Sequence, residues 1–417
     1  MLNEVKMSEV ISTFITAVDI VNPVLKFHHR RTAVIAYHLG QAYGLSDPSL
    51  ARLVVAAAIH DIGALTVKDA DTLKTLDVER PQPHCSIGAN MLGSYQVFEH
   101  IAQIIRHHHV KYVDLPLGAN PLVPEESYLL HLADRVDILL TRDEIALNQV
   151  DHIRQVILDH NGTLFAPSVV EAFDEMSWKE YFWFDIDGMS MNDLLDLVSI
   201  ESIAPSHADQ SLEELVYTLS RVIDFKCEFT ACHSVGVAHV AYRLGQILNL
   251  SEETCQELKI AGYLHDIGKI AIPSEIIMKS AGLTQKEFNI MKSHPYYTRQ
   301  ILKHIHGFEK MANWASAHHE KKDMTGYPRK PYESEIGLEV EIMSYADMFT
   351  ALSENRPYRS SLPLDEVMEI IEREMVEKMG MRVFRALSDH GQGLYRELYE
   401  IQLQSEKEYQ KALLVDV

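Results

Sequence analysis

The chain has 417 residues, 47% of them apolar, and a net charge of −22. That length points to more than one domain, and the acidic balance disfavours broad sequence-independent binding to nucleic acid, which needs clustered Lys and Arg, so no duplex partner is expected. No basic-apolar-small signal opens the chain, and no apolar run approaches the roughly 20 residues that span a bilayer, so no membrane partner is expected.

The predicted elements are helical from the start. MSEVISTFITAV (7–18) is amphipathic, and FHHRRTAVIAYHLG (27–40) continues the helical pattern and introduces His28. IHDIGAL (59–65) then places His60 beside Asp61. PHCSIGANML supplies His84, IIRHHHV supplies His107 and His108, and HLADRVDIL supplies Asp134. NGTLFAPSVVEAF (161–173) and the aromatic run SWKEYFWFDI (177–186) are expected to close and pack this first region. A stretch near 186–210, rich in Gly, Pro, Ser and Asp, marks the expected boundary between domains at 1–200 and 206–417.

Beyond the boundary the same words return. The two HD pairs are offset by 205 (265 minus 60), and this offset lays His28 on His233, Tyr37 on Tyr242 and Gly40 on Gly245. LEELVYTLSRVI lies on the amphipathic opening helix, so a whole domain is duplicated. The later landmarks recur with looser spacing: SHPYYTRQIL (His294), ASAHHEK (His318, His319) and SYADMFTAL (Asp347). Val237, Val240, Ala241, Leu244, Ile247 and Leu248 follow helical spacing, while alternating strands with hairpin turns are absent. The fold class is therefore all-α, in tandem helical domains. Four cysteines, Cys85, Cys227, Cys232 and Cys255, form no CxxC pair and read as reduced thiols of a cytoplasmic protein.

The 22 histidines are the chemical outlier. In the second half His233, His265, Asp266, His294, His318, His319 and Asp347 are candidate metal ligands, because neutral imidazole and carboxylate suit divalent Fe, Mn, Zn or Ni. So many ligands imply two ions, with Asp266 bridging them through its two oxygens. Two ions about 3.5–4 Å apart form a clamp for phosphoester hydrolysis by a bridging hydroxide.

LHDIGKIAIP (264–273) followed by HHEKKDMTGYP (318–328) resembles the HD-GYP subgroup of the HD-domain phosphohydrolases. IPSEIIMKSAGLTQKEFNIMKSHP and ADMFTALSENRPYR extend the resemblance over roughly 211–390. It implies an all-α fold with two or three metal ions, commonly iron or manganese. It further implies hydrolysis of cyclic dinucleotides, chiefly cyclic di-GMP to linear pGpG and on to GMP. 3′,3′-cyclic GMP-AMP is the alternative substrate, and a receptor or adaptor with little turnover the alternative role. Carried over by position, the seven residues above become metal ligands, and Glu228 a candidate for a third ion. Asp266 and Lys269 become the catalytic pair. Lys269, Gly326, Tyr327, Pro328, Arg356 and Arg359 would contact substrate, since a guanidinium fork suits phosphate or guanine edges. A homodimer or a signalling partner is a further expectation. One departure stands out: Met324 occupies a place where the subgroup carries Gly, and a positive φ there would cost roughly 1 kcal/mol or more.

The first half resembles a plain HD domain. It keeps the ligand types for a metal site of its own at His28, His60, Asp61, His84, His107, His108 and Asp134. Ala64 replaces the lysine of HDIGK, Pro23 stands where Glu228 would fall, and VKYVDLPLGANPLVPEES replaces the GYP loop. A regulatory or dimerising domain, a metal-loaded sensor and a second hydrolase are the readings open for it.

Overall fold

The computed structural model describes residues 5–21, 27–65, 75–77, 82–93, 95–114, 123–141, 143–203, 208–224, 232–279, 281–355 and 360–414. Among these residues there is no β-strand beyond an isolated bridge between Asn161 and Phe165. The fold is all-α, as the periodicity predicts. Two compact units divide the chain: Phe14–His207 with Ala412–Val417, and Met1–Thr13 with Ala208–Lys411. The first thirteen residues thus group with the C-terminal unit, where the Glu9 carboxylate accepts a hydrogen bond from the His306 amide at 2.8 Å.

In the N-terminal unit the site is carried by the helices His28–Tyr43, Asp47–Ile59, Gln82–Leu92, Glu99–Arg106 and Glu125–Leu139. The second begins after extended Ser46, with Pro48 in its first turn, where a missing N–H costs nothing. From Leu53 to Ile59 every side chain is buried, so this helix is apolar all round and runs through the core. Each fully buried Val or Leu contributes about 1.5–3 kcal/mol. The helix stops at His60, and the chain tightens into the 3-10 turn His60–Leu65.

The C-terminal unit repeats the plan with His233–Ile247, Glu252–Leu264, His294–Leu302, Glu309–Ser316 and Leu338–Ser353. Ser251 caps the second helix by accepting from the Thr254 amide at 3.1 Å. Val237, Val240, Ala241 and Leu244 are buried as their spacing predicts, while Ile247 and Leu248 are half-buried. The helices Leu364–Met379 and Met381–Ala412 follow, and Val367, Ile371, Val383, Leu387 and Leu398 are fully buried.

The HD turn needs glycine at the same place in both units. A Cβ on Gly63 would stand 2.1 Å from the His84 carbonyl oxygen, and one on Gly268 would stand 2.0 Å from that of His294. The helix bearing the next histidine is thereby drawn against the turn bearing the HD pair, which is how sequence-distant ligands meet. Of the aromatic run, Phe182, Trp183 and Ile186 enter the core, whereas Trp178, Tyr181 and Phe184 face solvent. The expected boundary stretch contains a packed helix, Met191–Leu197, opened by a Ser190–Asp193 capping box.

Candidate metal centres

Helix ends deliver the C-terminal cluster. His233 opens one helix, His265 and Asp266 close the next, His294 opens a third, and His318 and His319 follow Glu309–Ser316. Asp347 projects from Leu338–Ser353. The seven residues converge. His265 Nε2 lies 3.1 Å from Asp266 Oδ2, and His294 Nε2 lies 3.3 Å from Asp266 Oδ1. His233 Nε2 lies 3.2 Å from Asp347 Oδ1, and His319 Nδ1 lies 3.8 Å from Asp347 Oδ2. Asp266 therefore turns one oxygen toward His265 and the other toward His294, the disposition expected of a bridging carboxylate.

The backbone sets the tautomers. A carbonyl accepts and never donates, so an Nδ1 within reach of one carries the proton. His265 Nδ1 donates to Gly262 O at 2.8 Å, His294 Nδ1 to Met291 O at 2.8 Å and His318 Nδ1 to Ala315 O at 2.6 Å. Their Nε2 lone pairs are left facing the cluster, as metal-ligating imidazoles require. His294 Nε2 and His318 Nε2 stand only 3.4 Å apart. Burial pushes the two rings down to about 3 and about 4, so both are neutral and two lone pairs oppose each other. That arrangement repels unless a cation sits between them. His265 Nε2 and Asp266 Oδ1 are buried and make no hydrogen bond. The residues present fit a divalent metal.

The charges agree. Burial alone would raise the Asp266 carboxyl, but His265 and the Lys269 ammonium hold it well below the usual carboxylate range. Asp347 is likewise held low, against burial, by its hydrogen bond with His233 and by His319. His233 is pushed up to about 10, because Glu354 and Asp347 outweigh its burial, so without metal it carries a proton that ligation through Nε2 would displace. Glu354, which sequence reasoning missed, lies 3.1 Å from His233 Nδ1 and orients that ring. Its signal was present in SENRPYR, the segment read for its arginines. Ser344 and Thr298 hold the backbone beneath the ligands: their hydroxyls donate to the carbonyls of His318 at 2.7 Å and His265 at 2.9 Å.

At the rim, Lys269 Nζ lies 2.5 Å from Asp266 Oδ2 and stays partly exposed. Tyr327 rests against the His319 ring at 4.8 Å between centroids, and its amide donates to His319 O at 3.2 Å. Gly326 is buried against the backbone of Glu320 and Lys321, and the Tyr327–Pro328 peptide is cis. The Glu320 carboxylate accepts from the amides of Arg329 at 2.6 Å and Lys330 at 3.1 Å, which closes the GYP loop. Met324 has a φ of 60°, the left-handed conformation in which a side chain carries a steric cost. Glu228, Arg356 and Arg359, like Pro23, lie outside the described residues.

The N-terminal unit gathers His28, His60, Asp61, His84, His108 and Asp134. His28 Nε2 is 3.5 Å from Asp134 Oδ1, His60 Nε2 is 3.5 Å from Asp61 Oδ2, and His84 Nε2 is 3.6 Å from Asp61 Oδ1. The sequence pairing of His107 and His108 is one residue out of register. His107 is half-buried at the end of Glu99–Arg106, whereas His108 and His109 are buried in the cluster. His108 Nδ1 donates to Ile105 O at 2.6 Å, the bond His318 makes with Ala315 O. The three consecutive histidines hid the register. The 210-residue offset between His84 and His294 would have found it, because it lays His108 and His109 on His318 and His319.

Three further residues distinguish this cluster. Asp137 takes the part of Glu354, with Oδ2 2.6 Å from His28 Nδ1 and Oδ1 2.5 Å from the Arg31 Nε. Arg135, fully buried, pairs with Asp134 Oδ2. Cys85, buried and free, lies with Sγ 3.5 Å from His84 Nε2. Ala64 stands where Lys269 supplies a cation in the other unit.

Comparison with known proteins agrees with this duplicated geometry. The HD domain family matches twice, over residues 27–139 and 217–383. A 3′3′-cGAMP-specific phosphodiesterase of Vibrio cholerae is 30% identical over 88% of this chain and 88% of its own. A cyclic di-GMP phosphodiesterase of Thermotoga maritima is 36% identical over 39% of this chain and 44% of its own. The crystal structure of a cyclic GMP-AMP specific phosphodiesterase of V. cholerae shares the fold, with a TM-score of 0.62 at 24% identity across 92% of this chain and 97% of that one. The chain belongs to the HD-domain phosphodiesterases of the HD-GYP type, and carries two HD domains in tandem.

Proposed function

We propose that this protein is a metal-dependent phosphoric diester hydrolase that opens cyclic dinucleotides at its C-terminal cluster, with 3′3′-cyclic GMP-AMP preferred and cyclic di-GMP as the second substrate. The opposed lone pairs of His294 and His318, 3.4 Å apart in a cluster of seven converging candidate ligands, carry the reading. His233, His265, His294, His318, His319, Asp266 and Asp347 would hold two divalent ions, iron or manganese, with Glu228 in reserve for a third. When bound, such ions supply Lewis-acid polarisation of a phosphoryl oxygen and a nucleophile at neutral pH.

The chain's own residues do the rest. Asp266 offers one oxygen to each half of the cluster. Glu354 keeps the His233 Nε2 turned inward. Lys269, partly exposed beside Asp266, places a positive charge where an anionic diester must arrive, in a protein whose net charge of −22 would otherwise repel it. Tyr327 and Pro328 wall the entrance beside His319. The preference for the mixed dinucleotide is supported by extent: the cGAMP-specific relative aligns over 88% of this chain, across both HD domains, and the cyclic di-GMP enzyme over 39%. The N-terminal unit is assigned a non-hydrolytic, regulatory part, because it lacks the lysine and the GYP loop. Among the described residues no helix is long and apolar enough to cross a membrane. The free thiols of Cys85, Cys232 and Cys255 are in keeping with a cytoplasmic enzyme.

The test is anaerobic turnover of the full chain loaded with iron or manganese, each dinucleotide offered separately and products resolved by chromatography. Metal-dependent linear product, formed with the higher kcat/KM from 3′3′-cyclic GMP-AMP, is expected. A higher kcat/KM for cyclic di-GMP would reverse the preference. Binding without product at full metal occupancy would make the protein a receptor.

A further inference from the structure

The N-terminal cluster differs from its C-terminal counterpart by a sulfur. Cys85 follows His84 where Pro295 follows His294. His84, Cys85, His108 and His109 are all buried, and each offers a ligand atom within 4.8 Å of the others. The equivalent C-terminal group has three members, His294, His318 and His319. Sγ of Cys85 is 3.5 Å from His84 Nε2; it is also 3.6 Å from His108 Nδ1, but that nitrogen's proton goes to Ile105 O, so His108 would ligate through Nε2. A metal–sulfur bond of about 2.3 Å and a metal–nitrogen bond of about 2.0–2.1 Å span a tetrahedral edge of about 3.5 Å. The independent sign of a ligand is a set of orphaned atoms within this group: His108 Nε2 and both ring nitrogens of His109, either of which could ligate, are buried without a hydrogen-bond partner.

We infer that the N-terminal HD domain holds one divalent ion of the softer class, zinc or ferrous iron, through the thiolate of Cys85 and the imidazoles of His84, His108 and His109, and that this ion is structural. The thiol proton leaves to solvent as the sulfur–metal bond forms. Thiolate with imidazole favours zinc or ferrous iron over magnesium or manganese. Four protein ligands close a tetrahedral shell, whereas a catalytic centre keeps a position open for water or substrate. Arg135 takes only Oδ2 of Asp134, whose Oδ1 faces His28 and His60 at 3.5 and 3.7 Å. The ion would tie the helix Gln82–Leu92 to the turn at 107–109, so that metal binding is folding free energy for this unit. The inference does not depend on the C-terminal activity.

The experiment is X-ray absorption at the metal edge on the full chain carrying Asp266→Ala and His318→Ala, which strip the C-terminal cluster. The expected result is about one ion per chain with a sulfur neighbour near 2.3 Å. Cys85→Ser should remove the sulfur shell, and Cys255→Ser should keep it. An ion with nitrogen and oxygen neighbours alone, a sulfur shell indifferent to Cys85→Ser, or no retained ion would each overturn the inference. Should Cys85→Ser fail to fold, the spectra of the Cys85-bearing chain and of Cys255→Ser decide the matter. A zinc-dependent rise in Tm that is smaller in Cys85→Ser would be the thermal counterpart.

Discussion

Two clusters built on one plan differ in where they put their positive charge. In the C-terminal unit the cation beside the HD carboxylate is Lys269, partly exposed at the mouth. In the N-terminal unit that place is Ala64, and the cation is Arg135, buried against Asp134. A charge at the mouth can meet an incoming phosphate; a buried charge locked to a carboxylate neutralises the cluster from within. Duplication preserved the scaffold of helix ends, the HD turn and its glycine. The few positions around it that set the local charge have diverged, Lys269 against Ala64 and Arg135 beside Asp134.

The comparison can be broken most severely at the HD carboxylates. Asp266→Ala should abolish turnover of either dinucleotide, while Asp61→Ala should lower kcat far less; steady-state assays on the full chain separate the two. Next come the turn glycines. Gly268→Ala would force a Cβ against the His294 carbonyl and the Thr298 amide, and Gly63→Ala against the His84 carbonyl. Both should destabilise their own unit by about 1–3 kcal/mol or more, read by denaturant unfolding, and Gly268→Ala alone should also abolish activity. The orienting carboxylates sharpen the comparison further. Glu354→Gln should weaken metal binding at the C-terminal cluster by about 10–100-fold, with kcat restored by excess metal. Asp137→Asn should leave that titration unmoved.

A smaller effect is expected from pH in the metal-free protein. His294 and His318 are pushed down by burial to about 3 and about 4, and unfolding returns them to about 6.5. The unfolded chain then binds more protons between those values, so stability falls as pH drops below about 6.5. His233, raised to about 10 by Glu354 and Asp347 despite burial, acts oppositely: its contribution is full below about 6.5 and fades as pH climbs toward 10. The N-terminal unit buries more neutral imidazoles, with His29 at about 3, His131 at about 4, and His84, His108 and His109 also pushed down by burial. Its melting should therefore shift more steeply than that of the C-terminal unit on acidification, as followed by hydrogen exchange. The smallest effect belongs to Met324→Gly. Relief of the left-handed backbone, about 1–2 kcal/mol, is offset by glycine's entropy of roughly 0.5–1 kcal/mol, so Tm should rise only slightly.

Much of this was legible in the sequence because helical spacing and repeated motifs are local. The paired HD motifs and leading histidines follow from an offset of 205 residues, and the all-α fold from apolar spacing such as that of Val237, Val240, Ala241 and Leu244. What was missed involves side chains with no motif. Asp137 and Glu354 act on the far nitrogen of a leading histidine from 109 and 121 residues away, and they are not even the same residue type. Cys85 read as an ordinary reduced thiol because its neighbours His108 and His109 come from another segment. The slip at His107 arose where three identical residues leave the register to the turn after Glu99–Arg106, whose geometry the sequence does not spell out.

The most direct measurement is metal-loaded, anaerobic turnover of 3′3′-cyclic GMP-AMP by the wild-type chain beside His265→Ala and His60→Ala. The account predicts linear product from the wild type, none from His265→Ala, and continued turnover by His60→Ala. Turnover that survives His265→Ala and disappears in His60→Ala would place the chemistry in the other cluster and contradict the account.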